Sequence, residues 1–256
     1  MSNTIHPHPK FSLITVTYNA GNVLEDTIQS VVSQTYRHVE YILVDGGSKD
    51  NTLDIADRYR EHISKIVSEP DKGLYDAMNK GIRLATGDYF CFLNAGDKLH
   101  ENDTLQKVVQ TLRTQELPDV IYGETAIVDG EGKFLHMRRL SSPEHLNWQS
   151  FKQGMLVCHQ AFFAHKDLFR TTAYDMKYRF SADFDWCIRI LKKGEAKKMG
   201  THHAQCIISD YLNEGMTTRN HKASLKERFR IMAKHYGWVS TVMHHGWFVI
   251  RLFYKP

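Results

Sequence analysis

The chain has 256 residues, 42% of them hydrophobic, enough for one large buried α/β core or for a domain with a small attachment. No run approaches the roughly 20 apolar residues that cross a bilayer, and four scattered cysteines without a Cys-x-x-Cys pair exclude a disulfide scaffold and a cysteine-ligated zinc site. The formal charge of +4 is uneven: from Thr217 onward eight Lys and Arg face one acid, Glu227, so the preceding residues carry about −3. The first residues lack the charged-then-apolar pattern of a leader, and a reducing cytoplasmic setting is expected.

Phe11 to Thr17 reads as a buried first strand, broken by Tyr18-Asn19-Ala20-Gly21. Asn22 with Glu25 three residues on predicts a capping box, and Val23, Leu24, Ile28, Val31 and Val32 then recur at helical spacing. Glu40 to Val44 is a second strand ending in Asp45-Gly46-Gly47-Ser48, followed by a helix over Leu53 to Tyr59. Ile63 to Ser68 is a third strand. Leu74, Met78, Ile82 and Ala85 stripe the next helix, which Gly87 is expected to close. Tyr89 to Leu93 is a fourth strand that stops at Asn94-Ala95-Gly96-Asp97. Strands alternating with helices over short connections predict a parallel sheet with right-handed crossovers.

Beyond Asp97 the alternation weakens. Thr104 to Leu112 predicts a helix, Val120 to Val128 a strand pair turning at Asp129-Gly130, and Cys158 to Ala164 a strand. Asp183-Phe184-Asp185-Trp186 leads into a helix through Ile188, Ile190 and Leu191, ending near Gly194. His202-His203 invites a metal, but a solvated loop is the expectation. In the tail, Leu225, Phe229, Met232 and Tyr236 share a helical face amid Lys222, Lys226, Arg228, Arg230 and Lys234, with Trp247 to Tyr254 following. Basic residues beside an aromatic segment suit an interfacial anchor at a membrane surface over residues 217–256, against packing on the core or a second subunit.

Two carboxylates stand where a buried strand ends, Asp45 and Asp97, and ligand sites in open α/β sheets lie outside those ends. Each alone is also ordinary turn chemistry. Together they suit a hard cation, Mg²⁺ or Mn²⁺, bound through oxygen ligands and phosphates. There is no Gly-x-x-x-x-Gly-Lys-Ser/Thr loop, which excludes a P-loop enzyme, and no Gly-x-Gly-x-x-Gly after the first strand, against a dinucleotide dehydrogenase.

Thr17-Tyr18-Asn19, the helix end Ser30 to Tyr36, Asp45-Gly46-Gly47-Ser48, Glu69-Pro70-Asp71-Lys72-Gly73 and Gly87-Asp88 to Asp97 occur in order, and with them the chain resembles family 2 glycosyltransferases. The subgroup it is most similar to makes bacterial surface polysaccharides such as O-antigen and capsule. The resemblance covers Phe11 to about Lys193 and implies an inverting enzyme on a GT-A fold: a Rossmann-like, mostly parallel sheet flanked by helices. That divides the chain into a transferase domain over 1–215, with a nucleotide-binding half at 10–97 and an acceptor half at 98–215. A basic helical C-terminal extension follows at 216–256.

The resemblance also implies roles. Thr17, Tyr18, Asn19, Asp45, Asp71, Lys72 and Asn79 would hold the nucleotide of a sugar donor, with UDP the expected base. Asp97 would bind the divalent metal, although Asn94 and Gly96 stand where many members carry acids. Asp183 would be the catalytic base, with Asp185 its rival and Ala182 where an acid is usual. His159, Gln160 and Trp186 would line the pocket of a glycan or lipid-linked acceptor. No nucleic acid is implied, an oligomer is compatible, and the expected location is the cytoplasm or the cytoplasmic face of the membrane. The competing readings are a sugar nucleotidyltransferase and an inactive nucleotide- or glycan-binding module; Tyr18 to Gly21 lacks the basic loop residue of the first, and Asn94 and Ala182 favour the second.

Overall fold

The computed structural model describes residues 8–112, 117–198, 200–213 and 220–253, with side chains up to Phe248. β1 (Phe11–Thr17) is buried along its whole length, the pattern of a strand covered on both faces. It pairs in parallel with β2 (Val39–Asp45) and β4 (Tyr89–Phe92), and β2 pairs with β3 (Lys65–Ser68). The crossovers are α1 (Leu24–Val32), α2 (Thr52–Arg58) and α3 (Leu74–Leu84). Successive β1 side chains point to opposite faces. Phe11 and Leu13 join a core with Leu24 and Ile28 of α1, whereas Ile14 and Val16 join one with Met78 and Ile82 of α3. Gly81 lets α3 approach β1, because a Cβ there would stand 2.6 Å from the Ile14 side chain.

The chain continues through β5 (Lys98–Leu99), α4 (Thr104–Thr111), β6 (Val120–Val128), β7 (Phe134–Met137), β8 (Phe162–His165), α5 (Lys166–Phe169), α6 (Ala182–Lys197) and β9 (Thr201–Leu212). Among the described residues the nine strands share one sheet in the order β3-β2-β1-β4-β8-β6-β9-β5, with β7 paired to β6. The first four strands run parallel, as expected. The later ones mix directions: β8 is antiparallel to β4 and β6, and β6 runs parallel to β9. Two helices follow, α7 (His221–Tyr236) and α8 (Trp238–Phe253). The expected boundary at 215/216 lies outside the described residues, as does Tyr254 at the end of the aromatic segment.

Several local expectations yield to tertiary contacts. Asn22 does not cap α1; Val23 stands at the N-cap without a side-chain bond, and Glu25 instead accepts from Arg58 and Tyr59 of the α2 end. α3 ends at Ala85, while Gly87 donates its N–H to Ser12 Oγ and sits too close to Lys10 for any Cβ. Val120–Val128 is one strand and not a pair, although the chain turns at Asp129-Gly130 as expected and returns as β7. Residues 159–161 form a 3₁₀ turn and only 162–165 are extended. α6 runs through Gly194, whose missing Cβ makes room for the Asp119 carboxyl. His202 and His203 lie in β9, bonded to Thr111 and packed edge-on against Tyr122, not in a loop. The buried face of α7 is Ser224, Ile231 and Met232, and Leu225 is 45% exposed, so the helix is rotated from the predicted stripe.

The register sets up a site. Thr17 is opposite Asp45, and Asp45 opposite Ser68, so three strands end together. β4 stops beside Ile14, and residues 94–97 then cross the end of β1, with Ala95 N bonded to Val16 O at 3.3 Å.

Candidate active site

An open pocket of about 450 Å³ lies over the carboxyl ends of β1 and β4. Thr17, Tyr18, Asp71, Asn94, Asp97 and Gln160 line it, and Tyr211 and Leu212 come in from the end of β9. Tyr18 is 62% exposed at its edge. Thr17 Oγ1 and Asn94 Oδ1 are both buried without a hydrogen-bond partner. Buried polar atoms are normally paired, so two orphans lining the same pocket are groups that a polar ligand could answer.

Asp97 is 5% exposed. Gln160 Nε2 donates to its Oδ2 at 2.7 Å and Leu212 N to its Oδ1 at 3.2 Å. Burial pushes its carboxyl up to about 6, against the lowering pull of Gln160, His159 and Leu212. A buried carboxylate held up in this way gains from a nearby cation. Among the described residues no cluster of three or more His, Cys, Asp or Glu surrounds it. The oxygens present, Asp97 and the orphaned Asn94 Oδ1, nonetheless fit a hard cation whose shell phosphates and water complete. Gly96 has φ +99° with Leu212 pressing at 3.0 Å from where a Cβ would be. An acid at that position would be strained, which is the physical reason for one of the missing carboxylates.

Asp183 sits in the first turn of α6, its side chain 16% exposed. Tyr75 of α3 donates to its Oδ1 at 3.0 Å, and His159 Nδ1 faces its Oδ2 at 3.4 Å. His159 Nε2 lies 3.2 Å from Asn94 Nδ2. Because an amide nitrogen only donates, Nε2 is the acceptor and the ring proton sits on Nδ1, toward Asp183. Burial raises the Asp183 carboxyl, but the hydrogen bonds from His159 and Tyr75 and the charge of Arg228 outweigh it and hold the group below its ordinary value. Burial first, then the Asp183 charge, drives the Tyr75 phenol well up, so it stays a donor.

The structure therefore brings Thr17, Tyr18, Asp71, Asp97 and Gln160 to one pocket, and joins His159 and Asp183 to it through Asn94. Other candidates lie elsewhere. Asp45 is fully buried and its carboxylate accepts from Gly47 N, Ser48 N and Ser68 Oγ, and from Ser48 Oγ, so it holds its own loop. Asn19 (φ +47°) bonds Lys49 N and Ser48 Oγ and ties the same loop down. Asn79 pins the backbone of Tyr174 in both directions. Lys72 is exposed, and its N–H donates to Asp76. Trp186 is 2% exposed, stacked on Tyr174 with its N–H on Thr172 O, which makes it core and not acceptor pocket. Asp185, one residue before it, is 0% exposed and bound to Arg189, Lys234 and His235. Burial acts against its ionisation, but those three partners hold it far below the ordinary carboxylate range.

Asn94, Tyr75 and Tyr211 were not singled out by sequence reasoning as members of the site. Asn94 counted only as an absent acid, and Tyr75 lay next to a regular apolar stripe. For Tyr211 no local signal exists, because β9 reaches the pocket from more than one hundred residues away.

The profile of Glycosyl transferase family 2 matches residues 12–172. A PGL/p-HBAD biosynthesis glycosyltransferase of Mycobacterium bovis (strain BCG / Pasteur 1173P2) is 36% identical over 207 residues, 79% of this chain and 77% of that one. The putative teichuronic acid biosynthesis glycosyltransferase TuaG of Bacillus subtilis (strain 168) is 32% identical over 155 residues, 58% of this chain and 59% of that one. Among solved structures, S. aureus TarS 1-349 in complex with UDP-GlcNAc superposes with a TM-score of 0.70 at 16% identity, covering 87% of this chain and 64% of that one. The mannosyltransferase PcManGT of Pyrobaculum calidifontis, in complex with GDP-Man and Mn²⁺, gives 0.64 at 16%, covering 89% and 65%. The chain thus spans just under two thirds of the length of these solved relatives, and at such identities they establish the α/β GT-A fold alone.

Proposed function

The chain belongs to glycosyl transferase family 2, and we propose that it moves a sugar from a nucleoside-diphosphate donor, in the first instance a UDP-sugar, to an acceptor hydroxyl with inversion at the anomeric carbon. One observation carries the reading: a pocket carboxylate that favours a cation, Asp97, is joined through Asn94 and His159 to a second, ionised carboxylate behind the pocket lining, Asp183. The two carboxylates suit different tasks: a cation would answer the buried charge of Asp97, and Asp183, held ionised, can take a proton. The donor class draws support from the UDP-GlcNAc and GDP-Man held by the structural relatives. The sequence relatives, named for PGL/p-HBAD and teichuronic acid biosynthesis, support a glycan or lipid-linked acceptor.

In this mechanism Thr17, Tyr18 and Asp71 hold the nucleotide, while Asp45, Asn19, Asn79 and Lys72 shape the loops behind it. The acceptor hydroxyl attacks the anomeric carbon as its bond to the diphosphate breaks, and Asp183 takes the hydroxyl proton. Tyr75 and His159 keep Asp183 ionised and oriented. Asp97 and Asn94 would hold a divalent cation, Mg²⁺ or Mn²⁺. When bound, it supplies charge neutralisation on the leaving diphosphate.

The test is incubation with a panel of UDP- and GDP-sugars, Mg²⁺ or Mn²⁺ and a lipid-linked acceptor, following nucleoside diphosphate release. Release that depends on acceptor is the expected result. Nucleotide binding without turnover would identify an inactive module. Pyrophosphate formed from a sugar phosphate and a nucleoside triphosphate would identify a nucleotidyltransferase.

A further inference from the structure

α8 begins one residue after α7, across Gly237 (φ +82°), and folds back on it: Phe229 of α7 touches both Trp238 and His245 of α8, at 5.4 and 4.8 Å between rings. The inward face of α8 is Thr241, 1% exposed, with His245 and Phe248. Its outward face is apolar. Trp238, Val239, Val242, Met243 and Trp247 are between 57% and 77% exposed and recur at spacings of three and four, hence along one side. A soluble surface rarely leaves a contiguous apolar stripe of this kind uncovered.

Beside it runs a row of cations. Lys222, Lys226 and Arg230 recur every four residues on α7 next to Leu225 and Phe229, and all three are exposed. None forms an ion pair with a carboxylate among the described residues. The one acid of this hairpin, Glu227, is spent inward, accepting the N–H groups of Arg179 and Phe180 at 2.8 Å. α8 itself carries no Asp or Glu. At 16 residues it is roughly 24 Å long, short of the hydrocarbon thickness, and among the described residues no helix is long and apolar enough to cross a membrane.

We propose that the α7–α8 hairpin docks on an anionic phospholipid surface, with the Trp238–Trp247 stripe entering the headgroup layer and Lys222, Lys226 and Arg230 on the phosphates. The observation that selects lipid over a second copy of this chain is charge complementarity. A symmetric pairing of this face would bring two such cation rows together with no free acid to answer them. A negatively charged surface answers both features at once. The hairpin is also bonded to the start of α6, through Glu227 and through Ser224 Oγ on Ser181 Oγ at 2.8 Å. Docking therefore fixes the orientation of Asp183 relative to the membrane. The inference deepens the glycosyltransferase reading by locating its acceptor, and rests on it only for that point.

The test mixes the full-length protein with phosphatidylcholine vesicles, with and without phosphatidylglycerol, and measures co-sedimentation without donor or acceptor. Binding to the anionic vesicles that weakens with salt is expected. Each cation at such a surface is worth roughly a five-fold change in partitioning, so Lys222→Gln/Lys226→Gln/Arg230→Gln should lower it on the order of 100-fold. Val242→Glu/Trp247→Glu, two exposed sites, should abolish it while UDP binding persists. Wild-type binding that both variants retain, or no binding to anionic vesicles, overturns the proposal. A dimer by light scattering that Val242→Glu converts to monomer also overturns it and assigns the face to a second copy. Either failure leaves the glycosyltransferase reading untouched, because vesicle binding is measured apart from turnover.

Discussion

His159 Nδ1 lies 3.4 Å from Asp183 Oδ2, and that pairing links the loop of Asp97 to the first turn of α6. The link runs Asn94 to His159 to Asp183, with Tyr75 holding the other carboxylate oxygen. Asp183 is thereby held below its ordinary value in a place where burial alone would raise it.

Asp183→Asn keeps the shape and removes the proton acceptor. Turnover should fall by about 10²–10⁴, with the dissociation constant for UDP unchanged in a titration. Full turnover in this variant would remove Asp183 from the base role.

His159→Gln tests the link. Asp183 lies below its ordinary value because His159 and its other partners outweigh burial. Without the imidazole, burial gains weight and the carboxyl pKa rises. A base is lost as pH falls through its pKa, so the acid limb of kcat/KM should move to higher pH while the plateau falls modestly. A pH–rate profile superposable on the wild type would show that His159 packs and does not tune.

Asp97→Asn should separate stability from function. A folded pKa raised from 3.8 to about 6 means the unfolded chain ionises first as pH rises. The group is neutral in its effect below about pH 4, lowers stability progressively between pH 4 and 6, and costs roughly 3 kcal/mol above that. Asparagine removes the penalty but loses one accepted hydrogen bond, worth about 1 kcal/mol. The metal-free variant should therefore be about 2 kcal/mol more stable at pH 7, by urea denaturation in a chelator, and should show no metal-dependent donor binding. Equal stability and undiminished metal dependence would exclude Asp97 from both roles.

The first half of the fold was legible because its strands are local in sequence and buried on both faces: Phe11–Thr17 announces itself as a β-rich run and Tyr89–Phe92 as an unbroken apolar one. Asp97 was legible for the same reason, since a charge at the end of such a run is conspicuous. Long-range partners were not. Asp45 and Asp97 share a sequence context, an acid beside glycine where a buried strand ends, yet Ser48 and Ser68 satisfy the first while Leu212 and Gln160 turn the second into the pocket. Asp183 and Asp185 look equivalent two residues apart, but a 100° step per residue turns one toward Tyr75 and the other into α7. Trp186 follows the same logic and lands in the core.

That divergence makes Asp185→Asn the counterpart of Asp183→Asn. Asp185 is fully buried and answers Arg189, Lys234 and His235, the last of which is itself buried. Removing one member of such a group leaves charge uncompensated and costs on the order of 3 kcal/mol, or roughly 6–12 °C in Tm for a chain of this size. Its folded pKa is depressed, so the stabilisation is complete above the unfolded carboxylate value near 4 and is lost as pH falls below it toward the folded value. The Tm gap between wild type and variant should accordingly be full at pH 7 and narrow steadily below pH 4. At a temperature where both are folded, the variant should keep turnover within a few-fold of the wild type. A variant that is stable but inactive would instead make Asp185 the base, and would reverse the assignment of the two acids.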